Sequence, residues 1–102
     1  MSTNNYVFQL ITNGSATGNS VWWRGGKGRF SVVGPFTGEN SVSLEYLGPD
    51  ATTWITANDN TSSASPITLT AGGGVNFELP AGPIRAAISG TLNGVYATAN
   101  TI

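Results

Sequence analysis

The apolar residues of this chain recur at every second position, and this alternation constrains the fold more than any other feature of the sequence. Between positions 41 and 47, for example, Val42, Leu44 and Tyr46 alternate with polar residues. Most other segments repeat the pattern, are separated by Gly, Pro or Asn, and carry no helical stripe. A period of two places alternate side chains on opposite faces of a strand. The sequence therefore predicts an all-β protein.

The alternating segments and their separators predict eight or nine short strands. The predicted strands cover residues 6–11, 20–24, 29–33, 41–47, 52–57, 67–70, 75–79, 84–89 and 95–99. Many short strands at near-regular spacing in about 100 residues are typical of a β-sandwich or barrel. We expect a single domain over residues 1–102, a β-sandwich or jelly-roll-like fold of about eight short antiparallel strands, with residues 1–4 as a flexible arm.

Three turns are predicted to close tight hairpins. The glycine-rich segment 25–28 has the composition of a phosphate-binding loop, but Arg29 and a strand follow it instead of Ser or Thr and a helix, which favours a hairpin turn. Gly34 and Pro35 predict a second hairpin. Residues 48–50 predict a third, in which residues 44–46 pair with residues 54–55. The polar segment 58–65 is expected to be an exposed loop.

The side chains that most catalysis uses are scarce. The chain has 102 residues with no His and no Cys, and its five acidic residues are scattered over separate turns and strands. General acid–base catalysis, nucleophilic attack and metal ligation draw mainly on His, Cys and clustered carboxylates. We therefore expect no enzyme activity, no cofactor and no metal site.

The charge balance argues against two classes of partner. The formal net charge is -1, and ten Ser, thirteen Thr and ten Asn supply most of the polar surface. Nucleic acids and anionic membranes both select clustered Lys and Arg, so neither is expected as a partner. The polar amino-terminal residues lack the pattern of a secretory signal, and the apolar stretches are too short to span a bilayer. We expect a soluble protein that is synthesised in the cytoplasm.

Adjacent tryptophans give the sharpest local signal for a contact surface. Neighbouring residues on a strand face opposite sides, so Trp22 and Trp23 are not both expected in one thin core. The outward indole would anchor another molecule, or a loop would cover it. Three cations, Arg24, Lys27 and Arg29, follow within six residues. We take these five residues as candidates for protein contact, the alternative for the cations being a solvated loop.

Three runs of the sequence carry a resemblance to a known family: VWWRGGKG (21–28), LEYLGPD (44–50) with Trp54, and FELPAGPIRA (77–86). In these runs the chain resembles the small β-sandwich virion proteins of tailed bacteriophages, which decorate or cement the capsid or lie on the tail. The resemblance implies a capsid surface location in the virion, with the major capsid protein and copies of itself, commonly a trimer, as partners. It carries no catalytic or metal motif.

Two other functions remain open. In a carbohydrate-binding module or receptor-binding tip, Trp22, Trp23, Trp54 and Tyr96 would offer stacking platforms for a glycan. A tail or portal-ring component would share the adhesive chemistry of a decoration protein but occur in few copies per particle. The first alternative predicts glycan binding that depends on one exposed tryptophan, and the second is separated by copy number.

Overall fold

The computed structural model describes residues 7–36, 40–90 and 92–102 and contains strands, turns and loops. Residues 1–4, predicted to form an arm, and Tyr6, predicted to begin the first strand, lie outside these ranges. The described ranges contain nine strands: β1 (Val7–Gly14), β2 (Val21–Trp23), β3 (Gly26–Val33), β4 (Ser41–Leu47), β5 (Trp54–Thr56), β6 (Thr68–Leu69), β7 (Gly73–Leu79), β8 (Gly82–Ser89) and β9 (Val95–Thr101).

The strands form two antiparallel sheets in a jelly-roll arrangement. Sheet A has the order β1-β9-β3-β7, and sheet B has the order β2-β8-β4-β5. Strand β6 also pairs with β4, beside residues 42–43, while β5 pairs beside residues 45–47, so β5 and β6 share one edge position. The pairs are nested, β1 with β9, β2 with β8, β3 with β7 and β4 with β5, as when one long hairpin is rolled up. The predicted all-β sandwich is confirmed.

Of the three predicted hairpin turns, one is confirmed and two are wrong. Strand β4 pairs with β5 as predicted, with Tyr46 opposite Ile55, and the pairing extends to Leu47 opposite Trp54. The segment at 25–28 does not close a hairpin, because β2 belongs to sheet B and β3 to sheet A. Gly25 and Gly26 have φ values of 94° and 95°, which lets the backbone leave one sheet for the other. The segment at Gly34 crosses in the opposite direction, from β3 in sheet A to β4 in sheet B.

The core lies between the sheets, where the alternating positions predicted it. Phe77 and Leu79 of β7 and Ile84 and Ala86 of β8 are buried as expected. Strand β1 departs from simple alternation, because register shifts on either side of Ile11 leave Leu10 and Ile11 both buried.

An aromatic cluster joins the two sheets at one end of this core. The Trp23 indole of β2 packs against Phe77 of β7, with ring centroids 4.9 Å apart, and against Phe8 of β1 at 5.6 Å. Its indole nitrogen donates a hydrogen bond to the carbonyl oxygen of Gly26, 3.3 Å away. Trp23 of sheet B thus contacts side chains of both edge strands of sheet A.

Candidate contact surfaces

The outward side chains of β1, β9, β3 and β7 form a surface that we call the A face. Four large apolar side chains are exposed on or beside it: Val7, Val33, Tyr96 and Ile102. Val33 and Tyr96 are paired across β3 and β9, and Ile102 follows the last residue of β9. Polar side chains such as Ser31 and Thr98, also paired, occupy the middle of the face.

Two of the predicted contact residues lie on the A face. Lys27 is opposite Glu78, and Arg29 is opposite Asn76, where its guanidinium donates a 2.9 Å hydrogen bond to the amide oxygen. A side chain at Gly74 would begin within 2.8 Å of the Arg29 guanidinium, so this glycine makes the room in which the guanidinium lies along β7. Arg24 is exposed at the crossing between β2 and β3.

The outward side chains of β2, β8, β4 and β5 form the B face, which carries an apolar row. Trp22 is paired with Pro83, and Leu47 is paired with Trp54. Tyr46 of β4 pairs with Ile84 of β8. The next residues along these antiparallel strands, Leu47 and Pro83, are therefore neighbours, and they join the Trp22–Pro83 pair to the Leu47–Trp54 pair. The row therefore crosses all four strands in the order Trp22, Pro83, Leu47, Trp54.

A charged pair occupies the neighbouring row of the B face. Arg85 of β8 and Glu45 of β4 are paired, with Nε and Oε1 2.8 Å apart. The Arg85 guanidinium also lies 4.4 Å from the centroid of the Trp54 ring, a cation–π contact. The two charges neutralise one another and hold Trp54 in place.

The prediction that one of the two adjacent tryptophans faces outward is confirmed. Trp22 is 63% exposed, whereas Trp23 is 0% exposed. Trp23 is therefore a core residue in the folded chain, and Trp22 is the one that a partner can touch. The five predicted contact residues do not form one patch, because Trp22 lies on the B face, Lys27 and Arg29 on the A face, and Arg24 at the crossing.

Of the apolar residues that complete these faces, the sequence singled out Tyr96, as a stacking platform, but not Val33, Leu47 or Pro83. Val33 and Tyr96 on the A face, and Leu47 and Pro83 on the B face, come from strands that are distant in sequence. Period-two alternation predicts on which side of its own strand a residue lies. It does not predict which strands are neighbours, so it does not assemble a surface.

The described part of the chain contains neither a metal-binding cluster nor a pocket. Among residues 7–36, 40–90 and 92–102, no group of three or more His, Cys, Asp and Glu side chains is placed to hold a metal ion. Over the same ranges the surface has no pocket, and no helix is long and apolar enough to cross a membrane.

The acidic side chains at two turns serve the local backbone. The Thr53 hydroxyl donates a hydrogen bond to the Asp50 carboxylate and, together with the backbone nitrogens of Thr52 and Thr53, holds the pKa of this carboxyl well below the ordinary value. Asp59 accepts from the Thr61 hydroxyl and from the backbone of Ser65, closing the exposed loop predicted at 58–65.

Comparison with known proteins gives one structural likeness. The fold is similar to the crystal structure of YomS, an SPBc2 prophage-derived protein, with a TM-score of 0.72 over 95% of this chain and 91% of that one. The two sequences are 7% identical, so the likeness shows the fold alone. No protein-family model matches the sequence, and a search of curated proteins gives no match.

Proposed function

We propose that this chain is a structural virion protein of a tailed bacteriophage, a decoration or cement protein that binds neighbouring capsid subunits. It is synthesised in the host cytoplasm and assembles on the capsid surface. Its partners are the major capsid protein and copies of itself. It acts through shape and adhesion, without enzymatic turnover or a cofactor.

The fold likeness carries this proposal. YomS is a prophage-derived protein, and its fold matches this chain over nearly the whole length of both. Sequence runs in three parts of the chain independently resemble small phage virion proteins. The jelly roll is also a common fold of viral capsid and lectin domains.

The A face supplies the surface for the capsid. Its apolar side chains at Val33 and Tyr96 stand in a neutral polar surround, and two cations, Lys27 and Arg29, lie on the same face. Aromatic and arginine side chains contribute most to protein interfaces when the partner excludes water from them. A subunit bound across two capsid proteins adds buried area that must be exposed again when the shell opens, which stabilises the shell.

Reconstitution on purified shells tests the proposal. Shells that lack the protein should bind it to saturation, and saturated shells should resist higher temperature or a larger osmotic shock than bare shells. Tyr96→Ser should lower the affinity about tenfold or more, because a partly exposed aromatic anchor is lost. Trp22→Ser, which changes the opposite face, is the matched control and should leave the affinity for each binding site unchanged. Equal melting of shells with and without bound protein would contradict the cement function.

The same preparation separates the two alternatives. A tail or portal-ring component would appear in a few copies per particle, whereas a decoration protein approaches the number of capsid subunits, as quantitative mass spectrometry would show. A glycan-binding tip would select sugars on an array. Its four proposed stacking residues are not together, since Trp23 is buried and Tyr96 lies on the opposite face from Trp22 and Trp54. If the protein selects a glycan and Trp22→Ala abolishes that binding, the result would favour the glycan-binding function over decoration.

A further inference from the structure

The B face is self-complementary. Its apolar row begins and ends in tryptophan, Trp22 on the outer strand β2 and Trp54 on the outer strand β5. Its charged row has a cation on β8 and an anion on β4, the two inner strands. We infer that two copies of this chain meet on their B faces, about a two-fold axis parallel to the strands and between β8 and β4.

Such an axis brings complementary residues together. It turns one sheet over onto the other, so that β2 lies over β5 of the second copy and β8 lies over β4, while the position along the strands is kept. Trp22 then contacts Trp54 of the second copy and the Arg85 guanidinium that is stacked on that ring. Pro83 contacts Leu47 of the second copy. Each contact occurs twice, as the isologous interface of a two-fold dimer requires. Two sheets of the same twist pack in this aligned manner in β-sandwiches.

Charge complementarity favours a second copy of this chain as the partner of the B face. Under the same axis, Arg85 of each copy lies over Glu45 of the other, so the two intramolecular pairs combine into a square of alternating charges. The side chains of Arg85 and Glu45 are already only 29% and 17% exposed, which reduces the desolvation that association costs.

The A face has no such symmetry. Lys27 and Arg29 both lie on β3, and the corresponding axis would place Arg29 over Asn100 of β9. No charge would meet an opposite charge there. The A faces of a B-face dimer instead point in opposite directions.

The size of the B face predicts a weak, reversible dimer. The five strands of sheet B contain 23 residues, which at about 3.3 Å along the strand and about 4.8 Å across it cover roughly 360 Å² per copy. A standard interface buries about 800 Å² per partner, so this contact falls at the low end. We expect a dissociation constant in the micromolar to millimolar range.

Charge reversal in two separate chains tests the inference. Arg85→Glu and Glu45→Arg each place like charges against each other across the axis and should weaken dimerisation at least tenfold in sedimentation velocity. An equal mixture of the two variants should form a heterodimer, because the carboxylate introduced at position 85 of one chain would then face the guanidinium introduced at position 45 of the other. Rescue on mixing has no intramolecular explanation, since each chain still carries two like charges.

Two further comparisons of variants identify which face forms the dimer. Trp22→Ser should abolish the dimer, whereas Tyr96→Ser and Lys27→Glu on the A face should not change it. Circular dichroism of every variant establishes that it is folded, and if Arg85→Glu fails to fold, the comparison of Trp22→Ser with Tyr96→Ser carries the test.

Three results would overturn the inference: a wild-type protein that is monomeric at about 1 mM, a mixture of charge variants that stays monomeric while each is folded, or a trimer. The inference rests on the proposed function only in naming the surface on which two copies meet in solution, with both A faces left available for a shell. Because it is tested on the isolated protein, its failure would leave binding to shells as a separate question.

Discussion

At the scale of single residues, a glycine decides how the largest side chain is buried. Gly28 of β3 lies in the core opposite the Trp23 indole. A Cβ atom at this position would stand 2.5 Å from Cη2 of Trp23 and 2.7 Å from Cζ of Phe77, closer than packed atoms approach. The missing side chain is therefore the space that the indole fills.

Gly28→Ala should destabilise the protein by about 1–3 kcal/mol, the usual effect of inserting a methyl group into a filled core. Urea unfolding gives the free energy of unfolding. Gly73→Ala is the matched control, since a Cβ atom there meets nothing within 4 Å and the residue also lies in a strand of sheet A. Equal stability of the two variants would contradict this account of the core.

The adjacent tryptophans also show what the sequence could predict and what it could not. Alternation predicts that one of Trp22 and Trp23 faces outward, but not which one. The choice depends on Gly28, which is five residues further along and belongs to the other sheet. A pattern within one strand contains no information about the space left on a facing sheet.

At the scale of elements, the hairpin between β4 and β5 is held by one carboxylate. Oδ1 of Asp50 accepts from the backbone nitrogens of Thr52 and Thr53 at 3.0 and 2.8 Å, and the Thr53 hydroxyl donates to Oδ2. The backbone closes the turn from Gly48 to Thr53 with a 2.7 Å hydrogen bond. The charged carboxylate is the form that accepts all of these bonds.

Asp50 should therefore titrate with a pKa well below its ordinary value of 3.8, most of all because of the Thr53 hydroxyl. A carboxyl whose folded pKa is depressed stabilises the fold above the unfolded pKa, and that contribution is lost as the pH falls below about 4. Thr53→Val should raise the pKa of Asp50 towards 3.8, measured by NMR titration, whereas Thr53→Ser keeps the donor and should not. A midpoint of 3.8 in the wild-type protein would refute the proposed role of the turn.

The same hairpin explains which turns the sequence could predict. The β4–β5 turn encodes its geometry locally, in Gly48 and Asp50, and the predicted pairing is confirmed. The glycines at 25–28 and 34 also end strands, but whether a chain then reverses or crosses to the other sheet depends on which distant strands are available for pairing. Strand β2 pairs with β8, and β3 pairs with β7. No residue near the turns indicates this pairing.

At the scale of the whole molecule, the nested pairing places the two ends of the fold side by side. Val7 of β1 is paired with Asn100 of β9. A circular permutant that joins these strands and opens the exposed loop between Thr61 and Ser62 should fold, because it breaks no strand. Thermal unfolding and circular dichroism measure this.

A second permutant, opened between Ala86 and Ala87, is the control. It divides β8, an inner strand of sheet B, and should not fold. Folding of both permutants, or of neither, would contradict the assignment of strands to inner and loop positions.

The contact faces also belong to this scale. The sequence supplied the tryptophan pair, of which one member was expected to face outward, and the three cations, and it predicted the class of fold. It placed these residues in one candidate set, whereas the jelly roll separates Trp22 from Lys27 and Arg29 by the full thickness of both sheets. Only the long-range register shows that each face has its own apolar residues.

The position of β9 has a consequence for synthesis. This strand lies between β1 and β3 in sheet A, yet it is the last of the nine to leave the ribosome. Until it emerges, the first strand translated has no neighbour in its sheet. Nascent chains therefore cannot complete the sandwich early, and only polypeptides translated through Thr101 contain every strand of sheet A.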